Sequence, residues 1–170
     1  MMIGITGTPG TGKSAAAAEL RSRGFPALDL KMTTAPFVAG RDEARNVDEV
    51  NVDAWVTGFS CIDGYVEGAL AHFLPCGKIV VLRCRPDILR TRLIPRGYAP
   101  EKIRENCDAE ALDVILTETT EVFAPEQIYE IETTNRDIVS VADLIVSFVT
   151  DEIPAGFGTL DWSAYLDPLL

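Results

Sequence analysis

The chain is poor in the residues that build metal centres and cross-linked scaffolds. Its 170 residues include one histidine and four cysteines. Cys61, Cys76, Cys84 and Cys107 form no C-x-x-C pair. His72 alone cannot complete a tetrahedral zinc site at the usual spacing. A chain of this length buries a core without disulfides, so no cross-linked framework is expected, and the thiols read as those of a reducing compartment. Basic residues are also scarce, with 15 Lys and Arg against 26 Asp and Glu, a net charge of −11. That balance excludes a protein that coats nucleic acid by bulk charge, which needs clustered cations against phosphate. No apolar run approaches the ~20 residues of a membrane helix. The start, MMIGITGTPGTGKS, has no basic stretch followed by a long apolar one. Neither a membrane span nor a signal peptide is expected, and the reading is of a cytoplasmic protein.

What is present is an ordinary core fraction. Hydrophobic residues make up 47%, close to the globular average of roughly 45–50%. One domain spanning residues 1–170 is expected. Short apolar runs at 2–6, 26–30, 64–67, 78–83 and 128–131 read as strands. Helical patterns lie at 12–23, 52–59, 86–93, 101–122 and 138–149, the fourth read as one continuous helix through Ile103, Cys107, Leu112, Ile115 and Leu116. Residues 31–60 are polar, turn-rich and broken by Pro36 and Gly40. Strands separated by helices predict an α/β fold, a three-layer doubly wound parallel sheet of five strands.

The sharpest motif is Gly7-Thr8-Pro9-Gly10-Thr11-Gly12-Lys13-Ser14, a full match to G-x-x-x-x-G-K-[ST] between a strand and an Ala-rich helix. Glycines let the backbone curl so that its N–H groups converge on phosphate oxygens, and the helix N-terminus adds partial positive charge. Lys13 is then the cation for the terminal phosphates of ATP, and Ser14 the hydroxyl for Mg²⁺. No N-K-x-D guanine motif is present. Charge is unevenly spread. Residues 76–105 hold eight basic and three acidic residues, a segment of +5; the remainder, with seven basic and 23 acidic, carries −16. Within the basic segment, Arg92 and Arg96 are candidate lid arginines, because guanidinium forks suit the equatorial oxygens of a transferring phosphoryl group. Glu67, closing its strand, is the best-placed acid to hold Mg²⁺ through water or to act as a base, with Asp63 the alternative. Small size and an arginine-rich lid favour a small kinase.

Several stretches converge on one family. ITGTPGTGKS, GRDEAR near residue 40, YVEG followed by HFLP, VVLRCRPDILRTRLIPRGY, KIRENCDAEALDVI and YEIETT occur in family order over about residues 3–134. In these the chain resembles the adenylate kinase isoenzyme 6 family, small NTPases that double as small-ribosomal-subunit maturation factors. The resemblance implies a P-loop fold of the nucleoside monophosphate kinase type, with 31–60 as the acceptor-binding insertion and about 92–105 as a short lid. It implies phosphoryl transfer from Mg-ATP to a nucleoside monophosphate such as AMP, with slow ATP hydrolysis. It also implies binding of an S11-type small-subunit ribosomal protein during pre-ribosomal RNA maturation. By position, Gly7–Ser14 is the triphosphate loop, Arg92 and Arg96 are the lid arginines, and Thr133, Thr134 and Asn135 lie near the adenine. Two departures stand out. The family's acid-x-His becomes Glu67-Gly68-Ala69, and no Arg follows the second strand, which leaves Lys31, Arg41 or Arg45 to meet the acceptor phosphate. A kinase of another specificity is the rival reading, with Asp29 on a substrate hydroxyl. The tail 154–170, with Phe157, Leu160, Trp162, Tyr165 and Leu169, is expected to pack on the chain's own core.

Overall fold

The run Lys78–Arg83 (KIVVLR) shows why the sheet is buried on both faces. Ile79, Val80, Val81 and Leu82 are all fully buried. Alternate residues of a strand point to opposite sides, so each side of the sheet needs its own layer of helices. The computed structural model describes residues 1–42 and 47–166. Its elements in chain order are β1 (Met2–Thr6), α1 (Lys13–Ser22), β2 (Ala27–Asp29), α2 (Lys31–Thr34), β3 (Val38–Asp42), β4 (Val47–Val50), α3 (Val52–Gly58), β5 (Gly64–Glu67), β6 (Lys78–Arg83), α4 (Pro86–Leu93), α5 (Pro100–Ala111), α6 (Val114–Val122), β7 (Ile128–Glu132) and α7 (Ile138–Val149). Five parallel strands run in the order β2-β5-β1-β6-β7, the doubly wound arrangement expected from the sequence. The chain reverses its winding direction beside β1, and a ligand crevice opens beyond the strand ends at such a switch point.

One face packs Ile3, Ile5, Val80, Leu82 and Ile131 against Leu20 of α1 and Val141, Ile145 and Phe148 of α7. The buried positions of α7 follow a helical stripe, and Asp137 caps it by accepting the amide of Ser140 at 2.9 Å, a contact of about 1 kcal/mol. The other face packs Val66, Ile79, Val81 and Ile128 against Trp55 of α3 and Leu116 of α6. A third cluster, Cys84, Leu89, Leu93 and Ile103, seats α5 against α4.

Two expectations fail, each for a physical reason. Val38–Asp42 and Val47–Val50 pair as an antiparallel ribbon, β3 with β4, whose register shifts between Val38 and Gly40. Gly40 does not break a segment; it makes room in the ribbon, where a Cβ would stand 3.0 Å from the Glu49 carboxylate. The stretch 101–122 is two helices. A continuous helix would give the Glu110 carbonyl to the amide of Val114. Instead that carbonyl accepts from Arg83 Nη2 at 2.9 Å and, in a tighter turn, from the Asp113 amide at 3.3 Å, and Asp113 takes the left-handed region at φ 56° with its carboxylate on the same guanidinium. The tail packs on its own chain: Gly156 pairs beside Tyr129 of β7, Phe157 joins the second core face, and Trp162 is buried. Tyr165 remains exposed, and Leu169 lies outside the described residues. Among the described residues no helix is long and apolar enough to cross a membrane.

Candidate functional site

The loop from Gly7 to Ser14 joins β1 to α1 at the switch point. Gly7, Gly10 and Gly12 all take positive φ, at 140°, 95° and 105°. At Gly7 the need is also steric, since a Cβ would lie 2.3 Å from the Leu82 carbonyl oxygen of the neighbouring strand. The loop is closed by the Thr11 amide and hydroxyl, which both donate to the Thr8 carbonyl, at 3.2 and 2.9 Å. Lys13 folds back across it and donates to the carbonyls of Gly7 (2.7 Å) and Thr8 (3.0 Å). Burial pulls the Lys13 ammonium down to about 8, against the opposing pull of Glu67 and Glu110. A cation held so far from water binds best to an anion that replaces its lost hydration.

Glu67 ends β5 with its side chain buried in the same place. Burial pushes its carboxyl above the usual range, while the Ser14 hydroxyl donates to it and Lys13 and Lys31 draw it back. A hydroxyl at the helix start beside a buried carboxylate is a donor set that fits Mg²⁺, which Ser14 would hold directly and Glu67 through water. Asp29, paired in register with Glu67 across β2 and β5, adds a second carboxylate at this edge. Its Oδ1 also accepts the amide of Lys31 at 2.9 Å, so it serves the turn into α2 as well. Asp63 lies at the other end of β5, exposed and paired with the Met1 amino group, far from the loop.

A cleft of about 730 Å³ runs from the loop toward the ribbon. Lys13, Ser14, Glu67, Asp29, Lys31 and Arg96 supply its polar wall. Leu30, Val50, Val52, Leu70 and Tyr98 supply an apolar one. The ribbon side is anchored by Trp55, fully buried, whose indole N–H donates to the Thr33 hydroxyl at 2.9 Å. Lys31 therefore stands in the cleft where the sequence lacks an arginine. The side chain of Arg41 and all of Arg45 lie outside the described residues.

The two candidate lid arginines occupy different places. Arg96 ends a 3-10 turn, Ile94–Arg96, closed by Gly97 at φ 73°, and faces the cleft. Arg92, on the last turn of α4, points the other way. It donates to the carbonyls of Thr133 (2.8 Å) and Thr134 (3.2 Å), to the Thr133 hydroxyl (3.2 Å) and to Gly10 (3.5 Å). It ties the loop after β7 to the phosphate loop. Thr133 strengthens that tie, its hydroxyl donating to Thr11 O at 2.8 Å, and Thr134 accepts the Arg85 amide at 3.0 Å. The +5 segment is also not one basic surface. Lys78 pairs with Asp151, Arg85 with Asp87, and Arg83 is buried among Glu110, Asp113 and Glu130.

Sequence reasoning missed that last cluster. Glu110 is buried beneath the phosphate loop, bonded to the Thr8 hydroxyl and, at 2.9 Å, to Arg83 Nε. The available signal was an acid on the apolar stripe of α5, in line with Ile103 and Cys107. His72 is likewise buried, between the Thr6 hydroxyl (3.0 Å) and Glu118 (3.1 Å). It packs below the loop and does not line the cleft.

Comparison with known proteins agrees with this geometry. A family model described as an AAA domain matches residues 3–113. Proteins named "Putative adenylate kinase" from Natronomonas pharaonis and Methanothermobacter thermautotrophicus are 38% and 39% identical, over 98% and 97% of this chain and 100% and 99% of theirs. One from Methanocaldococcus jannaschii is 34% identical over 99% of this chain and 97% of its own. Among solved structures, shikimate kinase from Acinetobacter baumannii superposes with a TM-score of 0.63 at 17% identity, over 89% of this chain and 93% of that one. A gluconokinase from Sinorhizobium meliloti gives 0.57 at 14%, over 89% and 92%. These two share the fold: a parallel five-stranded P-loop sheet of the kinase type. With the phosphate loop, Glu67 and the Arg96 turn all inside the matched segment, the chain belongs to the AAA-domain family, alongside these archaeal relatives.

Proposed function

We propose that the chain is a cytoplasmic adenylate-type kinase that transfers the γ-phosphoryl group of Mg-ATP to a nucleoside monophosphate, AMP first among them. The observation that carries this reading is the shape of the cleft. Within about 730 Å³ it starts at a complete phosphate loop, passes Arg96 and continues between Leu30, Val50, Val52 and Leu70, a half-apolar extension beyond the loop. The names of the archaeal relatives support the same substrate class. On this reading residues 31–60 form the acceptor lobe and 92–105 the lid of a single kinase domain.

The chemistry asked of the residues is positioning and charge stabilisation. An oxygen of the acceptor phosphate forms a bond to the γ-phosphorus as the bond to the ADP leaving oxygen breaks, giving two ADP. The loop amides hold the β-phosphate. Lys13 exchanges its carbonyl partners for phosphate oxygens. Arg96 meets the charge that spreads over the transferring group. Lys31 neutralises the acceptor phosphate, and Leu30, Val50, Val52, Leu70 and Tyr98 bury its base. Arg92, with Thr133 and Thr134, fixes the loop beside the donor adenine. Ser14 and, through water, Glu67 would hold Mg²⁺, which would supply neutralisation of phosphate charge.

The motif stretches support a finer assignment, to the adenylate kinase isoenzyme 6 family. That assignment carries slow ATP hydrolysis and service in small-subunit maturation with an S11-type ribosomal protein and pre-ribosomal RNA. Asp29 in the cleft favours, as a second reading, a kinase for a hydroxyl-bearing small molecule. A coupled assay of ADP formation decides between them. AMP should raise the rate well above that with ATP alone. No stimulation by any monophosphate at saturating Mg-ATP overturns the kinase reading.

A further inference from the structure

Arg83 ends β6 after four fully buried apolar residues, and its side chain is 2% exposed. Burial alone would pull its guanidinium down; Glu110 and Asp113 outweigh that and hold it above its ordinary value. Nε donates to Glu110 Oε1 at 2.9 Å and Nη1 to Glu130 Oε1 at 2.6 Å. The indole of Trp162 covers the guanidinium, 4.9 Å from ring centre to Cζ. Each of the two buried carboxylates then spends its second oxygen on a different part of the chain. Glu130 Oε2 accepts the tail amides of Gly158 (2.8 Å) and Thr159 (3.2 Å). Glu110 Oε2 accepts the hydroxyl of Thr8 in the phosphate loop. The cluster is thus a continuous link from the tail, through Glu130, Arg83 and Glu110, to the loop. None of these side chains lines the cleft.

We propose that Glu110 is a positioning residue for the phosphate loop, and that docking of tail residues 158–162 on the Arg83 cluster sets the loop's affinity for a triphosphate. This rests on the nucleotide-binding reading above. Thr8 follows Gly7 and stands two residues before Gly10, glycines whose backbones have the most freedom to lose, while Pro9 between them is already restricted. A fixed anionic acceptor beneath its hydroxyl holds the loop in its anion-binding shape before the ligand arrives, which lowers the ordering cost of binding. The acceptor is fixed because the tail holds its partner. Any coupling is reciprocal, so bound nucleotide also tightens the tail.

The test uses the full chain with Trp162→Leu, Thr8→Val, their double variant and Thr8→Ser. Mg-ATP affinity is measured by calorimetry, and hydrogen exchange of amides 7–13 is measured without nucleotide. Trp162→Leu and Thr8→Val should each weaken Mg-ATP about tenfold, the loss expected of one hydrogen bond to a charged acceptor, and speed exchange in the loop. The double variant should be no weaker than the worse single one, since both cut the same link. Thr8→Ser should retain wild-type affinity. If Trp162→Leu does not fold, Thr159→Pro, which deletes one exposed amide of the link, takes its place. A tail variant that lowers the melting temperature yet leaves affinity and loop exchange at wild-type values overturns the proposal. A wild type that binds no Mg-ATP overturns the functional reading instead, and the exchange comparison then decides the coupling by itself.

Discussion

Lys13 should take up a proton when Mg-ATP binds in mildly alkaline solution. Without a ligand its ammonium is held at about 8 by burial, from an ordinary 10.5. A bound triphosphate supplies several negative charges at contact distance and restores the charged form. At pH 8.5 only about a quarter of the free protein carries the proton, so binding should draw in about 0.8 proton; at pH 7 it should draw in about 0.1. The apparent affinity should therefore fall about tenfold between pH 7 and pH 9. Calorimetry at pH 8.5 in two buffers of different ionisation enthalpy reads the proton count directly. Lys13→Met should bind weakly and show no uptake. The same shift bears on stability. Below about pH 8 the folded and unfolded lysines are both charged and the burial penalty, about 3 kcal/mol, is fully present. Between about 8 and 10.5 the unfolded state binds more protons, so the wild type should gain stability relative to Lys13→Met as pH rises. Zero proton uptake by the wild type at pH 8.5 would refute the reasoning.

Other consequences follow from single contacts. Arg96→Ala should lower kcat about 10²-fold or more, as loss of a transition-state donor does, while the KM for ATP moves little; equal losses in both would mean plain ground-state binding. Gly7→Ala should abolish Mg-ATP binding and lower the melting temperature, because its Cβ meets the immovable Leu82 carbonyl; wild-type affinity in a titration would show that the loop tolerates a side chain there. His72 is buried neutral, its ring held below the ordinary value by burial against the pull of Glu118. Wild-type stability should thus drop as pH falls through the unfolded histidine value of about 6.5. His72→Gln should show a flatter urea-midpoint profile over that range, and parallel profiles would contradict the assignment.

The parts legible in the sequence were those fixed by local pattern. The phosphate loop, α4 and α7 could be read from glycine spacing, a helix-starting proline and a 3.6-residue stripe, and the parallel sheet from strands separated by helices. The placement of Glu67 at a strand end was legible for the same reason. What pattern could not show was a side chain overruling it at long range. Residues 101–122 carry one helical periodicity, yet Arg83, 27 residues before Glu110, claims the carbonyl that would continue the helix. Arg92 and Arg96 look equivalent at a spacing of four, but the 3-10 turn after Leu93 rotates them apart. The ribbon of β3 and β4 was hidden because Gly40 reads as a breaker in isolation, while its partner Glu49 makes the glycine useful.

The central claim is that the γ-phosphoryl group crosses from one nucleotide to another inside this cleft. Incubation of the wild type with γ-labelled Mg-ATP and AMP, followed by separation of the products, tests it most directly. The account predicts label in the β-position of newly formed ADP, lost in Lys13→Met and Arg96→Ala. Label appearing only as free phosphate, at a rate indifferent to AMP, would contradict it.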